Sequence, residues 1–300
     1  MDYKASYYVP PYFTGIFGHK IDYTLSPFIH NKMAKICIGK SAAAPLLCYG
    51  KFDVVPDKFP EAFIGFKALG LKGANITQPY KTEVLKYLDS LENEAGLIGA
   101  VNTVNREDDF TYRGYNTDIA GFLKSIEYEF DTGVRGKKVI VLGAGGASRA
   151  VLYGLIKENA GEILIVNRDI QRAGELAGEV QKWKIKSKNI SGPVFYTDYN
   201  LARFKKSFKF CDIIINCVPP SKSSLSLIRT LPLDYIGEKA FAMDISYNFT
   251  RKEISFLGLL KTRVKKCSDG LSMLLFQAIE SFSIWTGKRV DFEIIKAELK

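Results

Sequence analysis

The sequence predicts an α/β protein made of two α/β domains, and three observations support this prediction. The chain has 300 residues, and a domain averages roughly 150, so two domains are expected. Short apolar runs typical of strands alternate with amphipathic runs typical of helices. In addition, the glycine-rich stretch Gly143–Ala147 stands between an apolar run and a helical one, as in turns that hold dinucleotides.

Composition and charge narrow the class of protein. Hydrophobic residues make up 47% and charged residues 25% of the chain, which excludes a disordered or fibrous protein. The net charge of +10 favours anionic ligands. Five scattered cysteines without a CxxC pair and two histidines predict no metal site. Reduced thiols of this kind are typical of a cytoplasmic protein, which is the location that we expect.

Neither a membrane nor a nucleic acid is an expected partner. The N-terminal residues lack the apolar core of a secretory signal, and no apolar run reaches about 18 residues. The Lys-rich stretch Gln181–Lys209 has too few interleaved aromatic residues for nucleic-acid recognition, so we interpret it as a solvated helix end and loop. A small-molecule ligand is therefore expected, bound by a monomer or a homodimer.

The first 115 or so residues predict alternating strands and helices. Ser26 and Pro27 are typical of an N-cap and a first helical residue, so a helix is expected to begin there. The rhythm of strand, helix and strand predicts a largely parallel sheet. We expect strands at Tyr12–Phe17, Leu46–Phe52, Gly73–Ile76 and Ala100–Val104, and helices at Pro27–Ile38, Phe59–Leu69, Lys81–Leu88 and Leu91–Ile98.

A second α/β unit begins near Gly136. Its first strand is a continuous apolar run, typical of a strand that is buried on both faces. Boundaries between the domains are expected near Thr117–Gly121 and Lys266–Asp269. We expect strands at Lys138–Leu142, Glu162–Val166, Pro193–Thr197, Asp212–Asn216 and Ala240–Ile245, with helices up to about Glu158, from Ile170 to about Trp183, and at Asp269–Trp285.

The glycine-rich turn after Lys138–Leu142 predicts a dinucleotide site. Gly143 would make the tight turn, and Gly145 would let the backbone approach a pyrophosphate. The helix that begins near Ala147 would direct its free N–H groups at the phosphates. Ser148 takes the place of the third glycine of the usual pattern.

The end of the following strand bears on the choice between NADP and NAD. Arg168 and Arg172 would hold the 2′-phosphate of NADP. Asp169 would repel that phosphate, unless its carboxylate caps the helix that starts there. NADP is therefore the expected cofactor, and use of NAD stays open.

Polar stretches follow predicted strands in the first domain, where ligands of α/β proteins bind. Lys81 and Asp118 within them would form an acid/base pair. Each stretch alone is equally compatible with a helix cap or an Asx turn. The stretches are Thr24–Pro27, Asn75–Lys81, Gly99–Thr103 and Gly114–Asp118.

Taken together and in order along nearly the whole chain, these stretches resemble the motifs of the shikimate dehydrogenase family. Gly18–Asn31 is similar to the family's GxPIxHSxSPxxHN segment, and Asn75–Lys81 to NVTxPxK. The remaining resemblances are Gly99–Thr103 to GAVNT, Gly114–Asp118 to GYNTD, Leu142–Ala150 to LGAGGASRA, Val166–Ala173 to VxNRxxxRA, Asp244–Tyr247 to DxxY, and Asp269–Gln277 with Trp285–Gly287 to DGxxMLxxQ and WTG.

The resemblance implies an enzyme that reversibly reduces 3-dehydroshikimate to shikimate with NADP, in the chorismate pathway to the aromatic amino acids. It also implies a discontinuous substrate-binding domain, residues 1–118 plus 268–300, into which an NADP-binding Rossmann domain, residues 119–267, is inserted, with a cleft between the two. Lys81 and Asp118 are the implied catalytic pair. The implied substrate ligands are Thr24, Ser26 and Tyr247 for the carboxylate and Thr77, Asn102, Asp118 and Gln277 for the hydroxyls. The implied cofactor ligands are Gly143, Ala144, Gly145, Gly146, Ala147, Asn167, Arg168, Arg172, Ile245 and Gly270.

Departures from the family pattern leave two alternatives open. Thr24 stands where Ser is usual, and Cys217-Val218-Pro219-Pro220 replaces the usual loop beside the nicotinamide. Together with Asp169, Thr24 would fit a quinate/shikimate dehydrogenase that uses NAD or both cofactors. A non-catalytic, cofactor-binding paralogue is the other alternative, although Lys81, Asp118 and Asn102 are retained.

Overall fold

The structure, a computed structural model, forms two compact units. It describes residues 12–38, 47–187, 190–199, 205–219, 221–247 and 255–299. The first unit comprises residues 1–117 and 277–300, and the second unit comprises residues 118–276. The predicted fold class, two α/β domains, is confirmed. The domain boundaries expected at 118/119 and 267/268 stay a prediction. Throughout the described ranges, no helix combines the length and the apolar character needed to cross a membrane.

The first unit contains a six-stranded sheet. Its strands are β1 (Tyr12–Gly18), β2 (Leu47–Asp53), β3 (Gly73–Ile76), β4 (Ser90–Leu91), β5 (Thr103–Arg106) and β6 (Tyr112–Tyr115). Its helices are α1 (Ser26–Ile38), α2 (Phe59–Ala68), α3 (Asn93–Ile98) and α11 (Phe292–Ala297), with short 3-10 helices at Pro56–Lys58 and Glu83–Tyr87. The strand order is β2-β1-β3-β5-β6-β4.

The sheet of the first unit is mixed. Strand β1 pairs in parallel with β2 and β3, as the sequence predicts, whereas β5 runs antiparallel to both β3 and β6. The sequence analysis did not anticipate β6, because it contains a glycine. A Cβ on Gly114 would lie within 2.7 Å of side-chain atoms of Leu88 and Val101, so glycine lets this strand pack closely against its neighbours.

An aromatic core holds the segment that precedes Lys81. The Tyr80 ring is fully buried and stacks on Phe59 with ring centroids 4.0 Å apart. Its hydroxyl donates to the Val54 carbonyl at 2.5 Å. Because a stacked aromatic pair and a buried hydrogen bond both restrict Tyr80, the backbone at Lys81 starts from a fixed position.

The second unit contains a six-stranded, fully parallel sheet. Its strands are β7 (Lys138–Leu142), β8 (Glu162–Val166), β9 (Val194–Thr197), β10 (Ile213–Asn216), β11 (Phe241–Asp244) and β12 (Lys266–Ser268). Its helices are α4 (Asp118–Phe130), α5 (Gly146–Lys157), α6 (Ile170–Ser187), α7 (Lys205–Lys209), α8 (Lys222–Ile228) and α9 (Phe256–Leu260). Helix α10 (Leu271–Thr286) begins in this unit and ends in the first one.

The strand order of the second unit is β12-β11-β10-β7-β8-β9. Strands β8 and β9 lie on one side of β7 and strands β10 to β12 on the other, so the strand order reverses between β7 and β10. In open parallel sheets, ligands bind outside the carboxyl ends of the strands at such a reversal. The predicted strands Lys138–Leu142 and Glu162–Val166 are confirmed to the residue. Their uninterrupted apolar sequences are buried on both faces, which explains why the sequence identified them.

Candidate active site

Two hydroxyl groups lie together at the start of α1. Thr24 Oγ1 donates to Ser26 Oγ at 3.2 Å and accepts from the Ser26 N–H at 3.3 Å. Ser26 is buried and is the first residue of a 13-residue helix. The predicted N-cap therefore lies one residue inside the helix, in the first turn, where backbone N–H groups have no partner within the helix. Hydroxyls at a helix N-terminus form a suitable site for a carboxylate.

The polar segment after β3 is anchored at several points. The Thr77 N–H donates to the Phe17 carbonyl at 2.9 Å, and the Val101 N–H donates to the Lys81 carbonyl at 2.8 Å. A Cβ on Gly18 would lie 2.4 Å from Thr77 Cγ2, so the glycine makes room for the Thr77 side chain. The backbone on either side of Lys81 is thus held by neighbouring loops, which suits a residue that must direct a flexible side chain.

Two of the predicted substrate ligands, Asn102 and Gln277, meet in a buried network. Asn102 Nδ2 donates to Thr117 Oγ1 at 3.0 Å and to Gln277 Oε1 at 3.4 Å. Asn102 Oδ1 accepts from the Thr117 N–H at 2.7 Å. Since buried amides with satisfied partners have few alternative orientations, Thr117 fixes the direction of both side chains.

A second layer of polar residues supports this network. Ser281 Oγ lies 3.1 Å from Thr117 Oγ1 and 2.8 Å from Thr103 Oγ1, and Asn75 Nδ2 donates to it at 3.1 Å. The Tyr49 hydroxyl donates to Asn75 Oδ1 at 2.7 Å. The sequence analysis missed Ser281 and Tyr49. Ser281 follows Gln277 by one helical turn on an apolar helix, and that spacing was an available signal.

A buried histidine lies beside the second layer. His30 stacks on Tyr49 with ring centroids 4.3 Å apart, and the Trp285 ring is 5.2 Å away. Neither ring nitrogen makes a well-formed hydrogen bond to the described part of the chain. Burial lowers the pKa of His30 to about 3, against a smaller opposing effect of the Asn75 side chain. The imidazole is therefore neutral at physiological pH.

The other predicted catalytic residue begins a helix of the second unit. Asp118 is the first residue of α4 and is 7% exposed. A carboxylate in the first turn of a helix is stabilised by the free N–H groups and the helix dipole. The pairing of Lys81 with Asp118 stays a prediction.

The glycine-rich turn has the geometry that a dinucleotide requires. Gly143 adopts φ +102°, which is accessible to glycine and strained for other residues. A Cβ on Gly145 would meet no atom of the described protein within 4 Å, so no protein packing explains this glycine. That space lies at the N-terminus of α5, which Gly146 and Ala147 begin. Because the free N–H groups of a helix N-terminus attract phosphates, this space is consistent with the expected pyrophosphate site, which stays a prediction.

The end of β8 resolves the orientation of Asp169. Asp169 Oδ1 accepts from the Arg172 N–H at 3.1 Å, so its carboxylate caps α6 as one of the two sequence interpretations predicts. Asn167 Nδ2 donates to the Asp169 carbonyl at 3.0 Å. Arg172 Nε donates to the Ala144 carbonyl at 3.0 Å, which places one guanidinium over the glycine-rich turn. Arg168 is exposed.

The loops after β11 and β12 are in close backbone contact. A Cβ on Gly270 would lie 2.0 Å from the Ile245 carbonyl oxygen, so glycine is required at this position. The Gly270 N–H donates to the Ser246 carbonyl at 3.3 Å. The predicted cofactor residues Ile245 and Gly270 are thereby brought together at the carboxyl edge of the sheet. Tyr247, which is partly buried, ends the described part of the loop after β11.

The unusual loop after β10 lies against the glycine-rich turn. The Cys217 N–H donates to the Leu142 carbonyl at 2.8 Å, and a Cβ on Gly143 would lie 3.2 Å from Val218 Cγ2. Burial raises the pKa of the Cys217 thiol to about 12, so it stays protonated and unreactive. Pro220, the last residue of this departure from the family pattern, lies outside the described residues.

Sequence profiles of three protein families match the chain. Residues 16–104 match the shikimate dehydrogenase substrate binding domain, and residues 126–224 match shikimate / quinate 5-dehydrogenase. Residues 270–300 match the shikimate 5′-dehydrogenase C-terminal domain. Their order along the chain agrees with a first unit that contains both ends of the chain and a second unit between them.

Individual proteins resemble the chain over nearly its full length. A shikimate dehydrogenase (NADP(+)) of Methanococcus aeolicus is 37% identical in an alignment of 292 residues that covers 94% of this chain and 94% of that one. The crystal structure of shikimate 5-dehydrogenase from Listeria monocytogenes, in complex with shikimate and NAD, has a TM-score of 0.81, 27% identity, and coverage of 97% of this chain and 96% of that one. Shikimate 5-dehydrogenase from Thermus thermophilus, in complex with NADP(H) and shikimate, has a TM-score of 0.74, 27% identity, and coverage of 95% and 97%.

Proposed function

The chain belongs to the shikimate dehydrogenase family, and on that premise we propose that it catalyses the NADP-dependent, reversible reduction of 3-dehydroshikimate to shikimate, a step of chorismate and aromatic amino acid biosynthesis. The observation that carries this proposal is the buried network of Asn102, Thr117 and Gln277. Such a network presents two oriented amides to a ligand with several hydroxyl groups. Two relatives that are 34% and 37% identical to the chain are named shikimate dehydrogenase (NADP(+)), which supports the proposal.

Lys81 and Asp118 are the proposed acid/base pair. Reduction adds a hydride to the carbonyl carbon and a proton to the carbonyl oxygen of the substrate. The nicotinamide, when bound, supplies the hydride. Lys81 gives its proton to the oxygen, and in the reverse direction it takes the proton from the hydroxyl. Asp118 accepts a hydrogen bond from a substrate hydroxyl and is the proposed partner of Lys81 in this pair.

The substrate carboxylate is assigned to the hydroxyls of Thr24, Ser26 and Tyr247. The contact between the Thr24 and Ser26 hydroxyls supports this assignment, because it places two hydroxyl groups side by side, and each can turn its hydrogen toward one oxygen of a carboxylate. Thr77, Asn102, Asp118 and Gln277 are assigned to the substrate hydroxyls. The methyl group of Thr24, where the family usually has Ser, narrows this pocket.

NADP is the proposed cofactor. Its 2′-phosphate is assigned to Arg168 and Arg172, and its pyrophosphate to the turn from Gly143 to Ala147. The hydrogen bond of Asp169 to the Arg172 N–H supports this choice, because a carboxylate used for capping is turned toward the helix and away from the ligand. Asn167, Ile245 and Gly270 complete the assigned cofactor site.

A quinate/shikimate dehydrogenase that uses NAD is the second candidate function. Its support in the sequence is Thr24, where the family usually has Ser, and Asp169, an acidic residue near the position that binds the ribose hydroxyls in NAD-dependent proteins; the cap that Asp169 forms on α6 counts against it. The free state of all five cysteines supports a cytoplasmic enzyme, since reduced thiols are typical of that compartment.

Steady-state turnover separates these functions. The purified protein is assayed with shikimate and with quinate, each in the presence of NADP and of NAD. We expect the highest kcat/KM with shikimate and NADP. A higher kcat/KM with quinate or NAD would favour the second candidate, and absence of turnover with all four combinations would identify a non-catalytic paralogue.

A further inference from the structure

A carboxylate at the end of β11 has no part in the function proposed above. Asp244 is the last residue of β11 and is partly buried at the carboxyl edge of the sheet. It lies directly beside Asn216, the last residue of β10, in the parallel register of the two strands. A buried carboxylate is costly unless hydrogen bonds compensate it, so its partners indicate what it does.

Asp244 connects two loops through its two oxygens. Oδ1 accepts from the Ser246 N–H at 3.0 Å, within the loop that leads to Tyr247. Oδ2 accepts from Asn216 Nδ2 at 3.1 Å. Hydrogen bonds to a charged acceptor are stronger than those to a neutral one, so the ionised carboxylate holds both partners more firmly than the neutral acid.

Asn216 in turn holds the loop after β10 through hydrogen bonds to Val218. Its Oδ1 accepts from the Val218 N–H at 3.2 Å, and its Nδ2 donates to the Val218 carbonyl at 3.3 Å. Two hydrogen bonds thus join the Asn216 side chain to the backbone of Val218, whose side chain packs against Gly143 of the glycine-rich turn. The chain of contacts runs from Ser246 through Asp244 and Asn216 to Val218.

The loop after β10 borders the reversal of strand order between β7 and β10, where a dinucleotide is expected to bind, and the loop after β11 is its neighbour on the side away from β7. We propose that Asp244 is a positioning residue for the dinucleotide and that its carboxylate holds the loops at Asn216–Val218 and Ile245–Tyr247 in one arrangement. The inference rests on the proposed function insofar as it assigns a dinucleotide to the second unit. It concerns cofactor binding and does not depend on which substrate is reduced.

Because Asp244 loses its charge in mild acid, the pH dependence of cofactor affinity can report on its role. Burial raises the pKa of the Asp244 carboxyl to about 6, and the hydrogen bonds from Ser246 and Asn216 oppose this effect. Asp269 raises the pKa of Asp244 further, and the Cys217 thiol is a second titratable group beside Asp244 in the described part of the chain. Below about pH 6 the carboxyl is protonated and one acceptor oxygen becomes a donor. Its hold on the loops is then weaker.

The test compares the affinity of Asp244→Asn and of the unaltered protein for NADPH, measured by cofactor fluorescence without substrate. The ratio of the two dissociation constants cancels any ionisation of NADPH itself. We expect the variant to bind roughly tenfold more weakly at about pH 7.5, where the ratio reports the lost charge. The ratio should fall toward one at about pH 5, where the normal carboxyl is also neutral.

Asp212→Asn is the matched control. Asp212 precedes the opposite end of β10, and its Oδ2 accepts from the Lys138 N–H at 2.8 Å. The Asp212→Asn variant should bind NADPH with the same affinity as the unaltered protein. Asn216→Ala removes the hydrogen bonds of Asn216 to Asp244 and to Val218, and it should weaken NADPH binding as Asp244→Asn does. This variant provides the test if Asp244→Asn does not fold.

A ratio of one at every pH, a ratio that does not change with pH, or an equal effect of Asp212→Asn would each overturn the inference. A protein that binds NADPH but does not oxidise shikimate would contradict the proposed function alone. The two failures are therefore distinguishable.

Discussion

Mild acid should destabilise the first unit through His30. Its pKa is lowered to about 3 in the folded protein, against 6.5 for the unperturbed side chain. Below pH 6.5 the unfolded chain therefore binds a proton that the folded chain does not, and the free energy of unfolding falls as the pH falls from 6.5 toward 3. Each pH unit in this window costs about 1.4 kcal/mol, so about 2 kcal/mol is lost between pH 7 and pH 5.

The perturbation that isolates this effect is His30→Phe. Phenylalanine retains the stacking on Tyr49, and it removes two ring nitrogens that lack well-formed hydrogen bonds within the described structure. We expect the variant to be as stable as the unaltered protein at pH 7 and about 2 kcal/mol more stable at pH 5. Asp244, whose pKa is raised, acts in the opposite direction as the pH falls through 6. Only the difference between the two proteins therefore reports on His30.

Urea unfolding monitored by tryptophan fluorescence measures this difference. The chain has two tryptophans, and Trp183→Phe leaves Trp285, which is 5.2 Å from His30, as the reporter of the first unit. His19→Phe is the control, because it removes the other histidine. Equal pH dependence in the His30→Phe variant and the unaltered protein, or an NMR titration of His30 near 6.5, would refute the reasoning.

Four further predictions concern catalysis, binding and stability. Lys81→Ala should lower kcat roughly 100- to 10,000-fold with little change in the KM for shikimate, as steady-state kinetics will measure, and retention of half the activity would contradict its role. Ser26→Ala and Tyr247→Phe should each raise that KM roughly tenfold or more, since each removes a hydrogen bond to a charged group, and unchanged values would place the carboxylate elsewhere. Arg168→Ala should lower kcat/KM for NADP about tenfold, a loss of about 1.4 kcal/mol, and leave NAD use unchanged. Asp169→Ala should improve the use of NADP modestly and cost about 1 kcal/mol of stability through the lost cap of α6, which thermal unfolding will detect. A protein that prefers NAD and is indifferent to Arg168→Ala would instead support the quinate/shikimate alternative.

Strands that are buried on both faces were identified from the sequence almost without error. Lys138–Leu142 and Glu162–Val166 are continuous apolar runs, and burial on both faces requires that pattern. Strands β4, β6 and β12 were missed, because Ser90–Leu91 has only two residues, Tyr112–Tyr115 contains Gly and Arg, and Lys266–Ser268 is short and polar. The antiparallel position of β5 was missed as well, since pairing direction depends on the path of the connections and leaves little trace in a strand's own residues.

The sequence by itself determined the fold class, the glycine-rich turn and the family, because local backbone requirements and ordered motifs are properties of neighbouring residues. Only the tertiary structure decided which side chains support one another. Ser281 and Tyr49 join the network around Asn102, and Asp244 joins Asn216, across long separations in sequence. Hydrogen bonds between such residues form only after the sheets bring the strand ends together, so no local pattern specifies them. Asp169 differs, because its partner, the Arg172 N–H, is only three residues away: the sequence permitted two orientations of the carboxylate, and the structure selected the helix cap.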